Sequence, residues 1–146
     1  MEELEPALPA DRDAVAALLV ASNLPHQDIA PHLQHFTVAR DAGRLVGVIG
    51  LEVHGGDGLV RSLAVADDRR GEGIARRLYA SLLGRARRLG LERLYLLTTG
   101  AQGFFEMLGF HAVGRESVPD AIRATEEFRA LCPSTATCMT RPLSRG

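Results

Sequence analysis

Leu63-Ala64-Val65-Ala66-Asp67-Asp68-Arg69-Arg70-Gly71-Glu72-Gly73-Ile74-Ala75 is an apolar, β-rich run that enters a tight turn with two glycines and passes straight into a helix. The first backbone N–H groups of such a helix have no intrahelical acceptors. Oriented donors and the positive end of the helix dipole attract an anion, and glycine lets a phosphate approach the backbone closely. The segment therefore reads as a phosphate cradle, although a plain strand-to-helix turn shares the pattern. No Gly-Lys-Ser/Thr follows, and Arg76 stands where the third glycine of Gly-x-Gly-x-x-Gly belongs. NTP hydrolysis and dinucleotide redox chemistry are thereby disfavoured.

Working outward, Ile74, Leu78, Leu82 and Leu89 with Ala75, Tyr79 and Ala86 make an apolar stripe. The spacing predicts an amphipathic helix over about 73–89, ended by Gly90. Residues 93–98 read as a buried strand and 101–108 as a helix closed by Gly109; in the tail, strands at 111–114 and 136–140 flank a helix from 119 to about 131. Upstream of the turn, a loop at 54–58 leads into a strand at 59–65, and strands at 36–40 and 44–53 join through Asp41-Ala42-Gly43, a hairpin signal. A short helix runs from Pro25 or Asp28 to His35, and another is N-capped by Asp11 and continues through Ser22. Residues 4–8 suit an edge strand, since Pro6 and Pro9 forbid a central one. Helices alternate with strands in the middle and strands dominate the flanks, so the fold class is α/β or α+β on one mixed sheet. With no linker or repeat, residues 1–146 read as a single domain.

Composition narrows the function. A net charge of −1 over 146 residues disfavours a general nucleic-acid binder or a polybasic membrane-surface protein. No apolar run approaches a bilayer span and the first residues are acidic, which points to a cytoplasmic protein. All 17 cationic side chains are arginine, so no ε-amine is present for Schiff-base chemistry. Cys132 and Cys138 read as reduced thiols.

Arg70-x-x-Gly73-x-Ala75, preceded by Leu63-Ala64-Val65 and followed by Phe104-Phe105-Glu106-Met107-Leu108-Gly109-Phe110, resembles the Gcn5-related N-acetyltransferase (GNAT) superfamily over about residues 36–113. The resemblance implies a mixed, seven-stranded twisted sheet flanked by helices and splayed between its fourth and fifth strands, with acetyl-CoA in the splay. It further implies that the backbone of Leu63, Ala64 and Val65 pairs with the pantetheine arm. The N–H groups of Arg70, Gly71, Glu72, Gly73, Ile74, Ala75 and Arg76 would then hold the pyrophosphate, and Val65 N–H would meet the developing oxyanion.

Acetyl transfer to nitrogen needs a neutral amine, so a base or water chain must take its proton. Glu52 and His54, two residues apart on the neighbouring strand, are the candidates; the alternative for Glu52 is an ion pair with Arg61, and for His54 a plain loop position. Phe105 stands where many relatives carry a tyrosine acid, and a phenyl ring donates no proton. Either the thiolate leaves unprotonated or another hydroxyl serves, Thr98 being the candidate.

A second resemblance, through Val118-Pro119, Ile122-Arg123 and Arg123-Ala124-Thr125, points to the branch holding amino-acid N-acetyltransferases and the small arsenic-resistance acetyltransferases. It implies an amino-acid-like acceptor, such as a glutamate analogue or an arsenic- or phosphinate-containing amino acid. Arg61 and Arg123 are candidate carboxylate clamps, though each can instead pair with a nearby acid. His26, His32 and His35 permit a metal by spacing, but without neighbouring carboxylates or thiolates no metal is expected. Expected partners are a small-molecule amine and a second copy in a homodimer, with no nucleic acid and no membrane. The alternatives are a CoA-binding or thiol-based sensor without turnover and a protein-amine acetyltransferase.

Overall fold

The computed structural model describes residues 2–131 and 135–143. Its strands are β1 (Glu3–Pro6), β2 (Thr37–Asp41), β3 (Arg44–His54), β4 (Asp57–Val65), β5 (Arg93–Thr98), β6 (His111–Ala112) and β7 (Thr137–Pro142), and its α-helices α1 (Arg12–Ala21), α2 (Ile74–Arg88), α3 (Gln102–Met107) and α4 (Asp120–Arg123). One seven-stranded sheet has the order β1-β2-β3-β4-β5-β7-β6. It is mixed, because β4 pairs parallel with β5 while β1–β2, β2–β3, β5–β7 and β6–β7 are antiparallel. The parallel ladder joins Asp57, Gly58 and Leu59 to Arg93, Leu94 and Tyr95. The chain forms two compact units, residues 1–52 with 61–86 and residues 53–60 with 87–146.

In the first unit, β1 lies at the sheet edge as Pro6 requires. The hairpin between β2 and β3 turns through Ala42 at φ 51° and Gly43 at φ 82°, both left-handed, which is the type I′ twist that matches paired strands. Val15 and Leu19 of α1 pack with Ile29, Leu33, Phe36, Val38, Val48 and Ala64. Gly50 makes room for Phe36, since a Cβ there would lie 2.5 Å from its ring. The amphipathic helix α2 buries Ile74, Leu78, Tyr79, Leu82 and Ala86. It seats on β3 at Gly47, where a Cβ would come within 3.0 Å of Leu78 Cδ1. Asp11 precedes α1 but does not cap it. Its carboxylate accepts the Leu8 N–H at 2.7 Å and is paired with Arg40, an ion pair that sequence spacing conceals. The expected second helix is a 3-10 turn, Ala30–His35.

In the second unit, Leu59, Tyr95, Val118, Ile122, Phe128 and Cys138 share a core. The helix expected over 119–131 is two pieces, α4 and a π-helical turn at Glu127–Leu131. Thr125 causes the break: its hydroxyl donates to Ile122 O at 2.7 Å and accepts the Phe128 N–H at 3.4 Å, competing with the regular helical ladder.

Candidate functional site

Residues 63–75 form the end of β4, a turn and the start of α2. Leu63 and Val65 are half-buried, and Ala64 is buried. Ala66 N–H donates to Val46 O at 2.9 Å, anchoring the strand end on β3. A 3-10 turn at Asp67–Arg69 follows, then Gly71 at φ 81° and Gly73 at φ 83°, and α2 begins at Ile74. Gly73 O accepts the Arg77 N–H at 3.1 Å, so the N–H groups of Ile74, Ala75 and Arg76 are left without intrahelical acceptors. A Cβ on Gly71 would meet nothing within 4 Å. Backbone conformation, not crowding, selects glycine there, and the open space in front of it suits a phosphate against the main chain.

The arginines around this turn hold its shape. Arg44 donates twice to Asp68 at 2.8 Å, and Arg69 donates to Glu72 at 2.9 Å and to Asp41 at 2.8 Å. Arg77 donates to Glu72 O at 3.1 Å and pairs with Glu2. Arg70 pairs with Asp67 at 3.0 Å, and its Nε donates to Val65 O at 3.3 Å.

One residue before Leu63, Ser62 has φ 61°, a left-handed backbone in the middle of β4 that any side chain but glycine resists. Beside it lies a buried ionic cluster. Arg61 Nη1 donates to Glu52 Oε2 and to Asp28 Oδ2, each at 2.7 Å, Nη2 to Asp28 Oδ1 at 2.6 Å, and Nε to Ser62 Oγ at 3.0 Å. His32 Nε2 stands 3.5 Å from Glu52 Oε1. Burial pushes the Asp28 carboxyl up, but the hydrogen bonds and charge of Arg61 leave it net below its ordinary 3.8.

Glu52, expected as a base at a strand end, is 1% exposed and tied to Arg61, and Arg61 itself is occupied by two carboxylates of its own chain. Sequence reasoning gave the histidines no carboxylate neighbours, and the fold corrects this: donor atoms of Asp28, His32 and Glu52 lie within 4.8 Å of one another. The Arg61 guanidinium bonds both carboxylates and sets one positive charge against their two. Asp28 was legible only as a helix start, because nothing in the sequence links a loop residue to a strand 33 positions later.

In the second unit, Thr98 ends β5 and its Oγ1 accepts the Ala101 N–H at 3.3 Å. His54 ends β3 near Asp57, whose carboxyl is raised by burial first and by Glu92 next. Arg123 is half exposed and paired with Asp120. Phe105 is buried edge-to-face against Phe104 and Phe110, at centroid distances of 5.2 and 5.7 Å. Burial raises the Cys138 thiol to about 11, against a smaller opposing influence of Arg115. Such a thiol is protonated at neutral pH and offers no thiolate to a metalloid. Cys132 lies outside the described residues. No helix among the described residues is long and apolar enough to cross a membrane.

Residues 2–110 match the model of the acetyltransferase (GNAT) family. Amino-acid acetyltransferases of Neisseria meningitidis serogroups A and B are 28% identical over 94 residues, 63% of this chain but 22% of theirs, so the chain spans under a quarter of those relatives' length. The solved N-acetylglutamate synthase from Neisseria gonorrhoeae, complexed with coenzyme A and N-acetyl-glutamate, superposes with TM-score 0.87 at 23% identity, over 99% of this chain and 36% of that one. Rv2747 from Mycobacterium tuberculosis, solved in complex with CoA, superposes with TM-score 0.83 at 25% identity, over 97% of this chain and 99% of that one.

Proposed function

The chain belongs to the acetyltransferase (GNAT) family, and from that premise we propose that it transfers the acetyl group of acetyl-CoA to the amine of a small amino-acid-like substrate. The observation that carries this reading is the turn of Gly71 and Gly73 at the start of α2, left-handed at both glycines and open in front of Gly71. The backbone from Arg70 to Arg76 binds the pyrophosphate, and Leu63, Ala64 and Val65 pair with the pantetheine arm. Val65 N–H faces the thioester oxygen as charge develops on it. The amine attacks the carbonyl carbon directly and the thiolate leaves. With a phenyl ring at Phe105, Thr98 is the hydroxyl that can protonate it.

The acceptor class rests on the relatives, which are named amino-acid acetyltransferases. A glutamate-like amine, including arsenic- or phosphinate-bearing analogues, is the finer form of the proposal, with Arg123 and His54 on the acceptor side. Thiol release from acetyl-CoA across free amino acids, glutamate analogues and short peptides, with product masses, tests it. Acetylation confined to free amino acids supports the reading; preference for peptides replaces it with protein-amine transfer.

A second reading, a CoA-binding sensor without turnover, is favoured by Phe105 alone, which is packed into the aromatic cluster where a proton donor would stand. CoA binding without product on any amine would establish it.

A further inference from the structure

We propose that His32 takes the proton from the acceptor amine and that Glu52 is the positioning residue behind it. The inference rests on the acetyl-transfer reading above and reassigns the base within the same site. Glu52 is 1% exposed, and one of its oxygens already accepts from Arg61 at 2.7 Å. A carboxylate enclosed and compensated in this way is a poor base for an incoming amine. His32 meets the other oxygen at 3.5 Å, and its side chain keeps 29% of its surface. Imidazole is therefore the group of this cluster that reaches outward while the carboxylate holds it from within.

Charged groups surround that ring. Asp28 and Glu52 bring two negative charges and Arg61 one positive, a formal balance of −1 beside His32. On its own turn His32 also faces His35, which α2 approaches through Arg85. Burial first, then Arg85 and His32, hold His35 below its ordinary 6.5. Leu33, between the two histidines, is buried in the core and fixes the turn.

In the step, the amine lone pair bonds to the thioester carbonyl carbon. The C–S bond breaks, and its electron pair leaves on sulfur. With Nε2 toward Glu52, Nδ1 takes the amine proton, and the imidazolium returns it to the thiolate or to solvent.

The test uses the full chain, acetyl-CoA and L-glutamate, or the panel amine that the wild type acetylates fastest. His32→Gln is expected to lower kcat by about 100-fold or more, as loss of a general base does, with CoA affinity unchanged within twofold and the acid limb of the kcat/KM profile abolished. Glu52→Gln keeps the limb and CoA affinity but lowers kcat, because the ring loses the carboxylate that orients it, and Glu52→Asp restores part of the rate. His35→Gln retains the wild-type limb. Should His32→Gln misfold, His32→Gly with added imidazole is the second probe, and recovery of rate with imidazole concentration supports the assignment. A His32→Gln enzyme with the wild-type limb, or within tenfold of wild-type kcat, overturns it. Absence of turnover in the wild type defeats the transferase reading instead.

Discussion

Arg61 and Glu52 face each other across 2.7 Å with the guanidinium fully buried and the carboxylate 2% exposed. A pair enclosed this way is costly to break from one side, because the remaining charge has no water to turn to. Removing one partner of a buried pair costs about 3–5 kcal/mol. Arg61→Leu strands both Glu52 and Asp28, so its urea midpoint should fall by the equivalent of at least about 3 kcal/mol. Glu52→Gln leaves Arg61 an acceptor and should cost only about 1 kcal/mol. Equal losses in the two variants would show that the pair is not what holds this part of β3 to β4.

Gly71→Ala and Gly73→Ala should separate binding from folding. Each puts an L side chain at a left-handed position, worth roughly 1–2 kcal/mol. Gly71→Ala meets no neighbour, so its effect should fall on the anion: CoA affinity by calorimetry is expected to drop about tenfold or more, equivalent to about 1.4 kcal/mol. Gly73→Ala also confronts Arg77 Nη1 at 3.1 Å and should lower the melting temperature further.

Alkaline pH should expose the buried thiol. In the folded chain Cys138 is raised from 9.0 to about 11. Between those values the unfolded chain has released a proton that the folded chain still holds, so stability is intact below pH 9 and declines as pH rises through about 11. The decline should approach about 2–3 kcal/mol, at 1.36 kcal/mol per pH unit, and vanish in Cys138→Ala. Ellman reagent on the native protein at pH 7.5 should label this thiol far more slowly than after unfolding.

The β2–β3 hairpin holds an alanine at φ 51°. Ala42→Gly relieves a left-handed strain of about 1–2 kcal/mol, partly offset by the entropy of a freer unfolded chain. A net gain of about 0.5–1 kcal/mol should raise the melting temperature by roughly 2–4 °C, measured by calorimetry. Ala42→Val should lower it.

Much of this architecture is readable from local chemistry. The edge placement of β1 follows from Pro6, the hairpin from Asp41-Ala42-Gly43, and the start of α2 from the two glycines. What escapes is governed by long-range pairing. The break at Thr125 depends on one hydroxyl choosing a carbonyl over water, and Asp11 turns from helix cap to ion-pair partner because Arg40 arrives from 29 residues away. The same holds at the candidate site. The turn of Gly71 and Gly73 is contiguous and legible in the sequence; Asp28, His32, Glu52 and Arg61 come from a loop, a turn and two strands, and only the fold brings them together.

The ion pairs that brace the turn of Gly71 and Gly73 all use arginine: Arg44 with Asp68, Arg69 with Asp41 and Glu72, Arg70 with Asp67. Arginine keeps its charge at any physiological pH, and its guanidinium is a far weaker nucleophile toward thioesters than a free lysine amine. With no lysine anywhere in the sequence, the frame around this turn contains no ε-amine for an acyl donor to modify. On the acetyl-transfer reading proposed above, a scaffold without ε-amines offers the acyl donor no lysine to modify, and the charge pattern around Gly71 and Gly73 should persist however long the protein is steeped in the reagent.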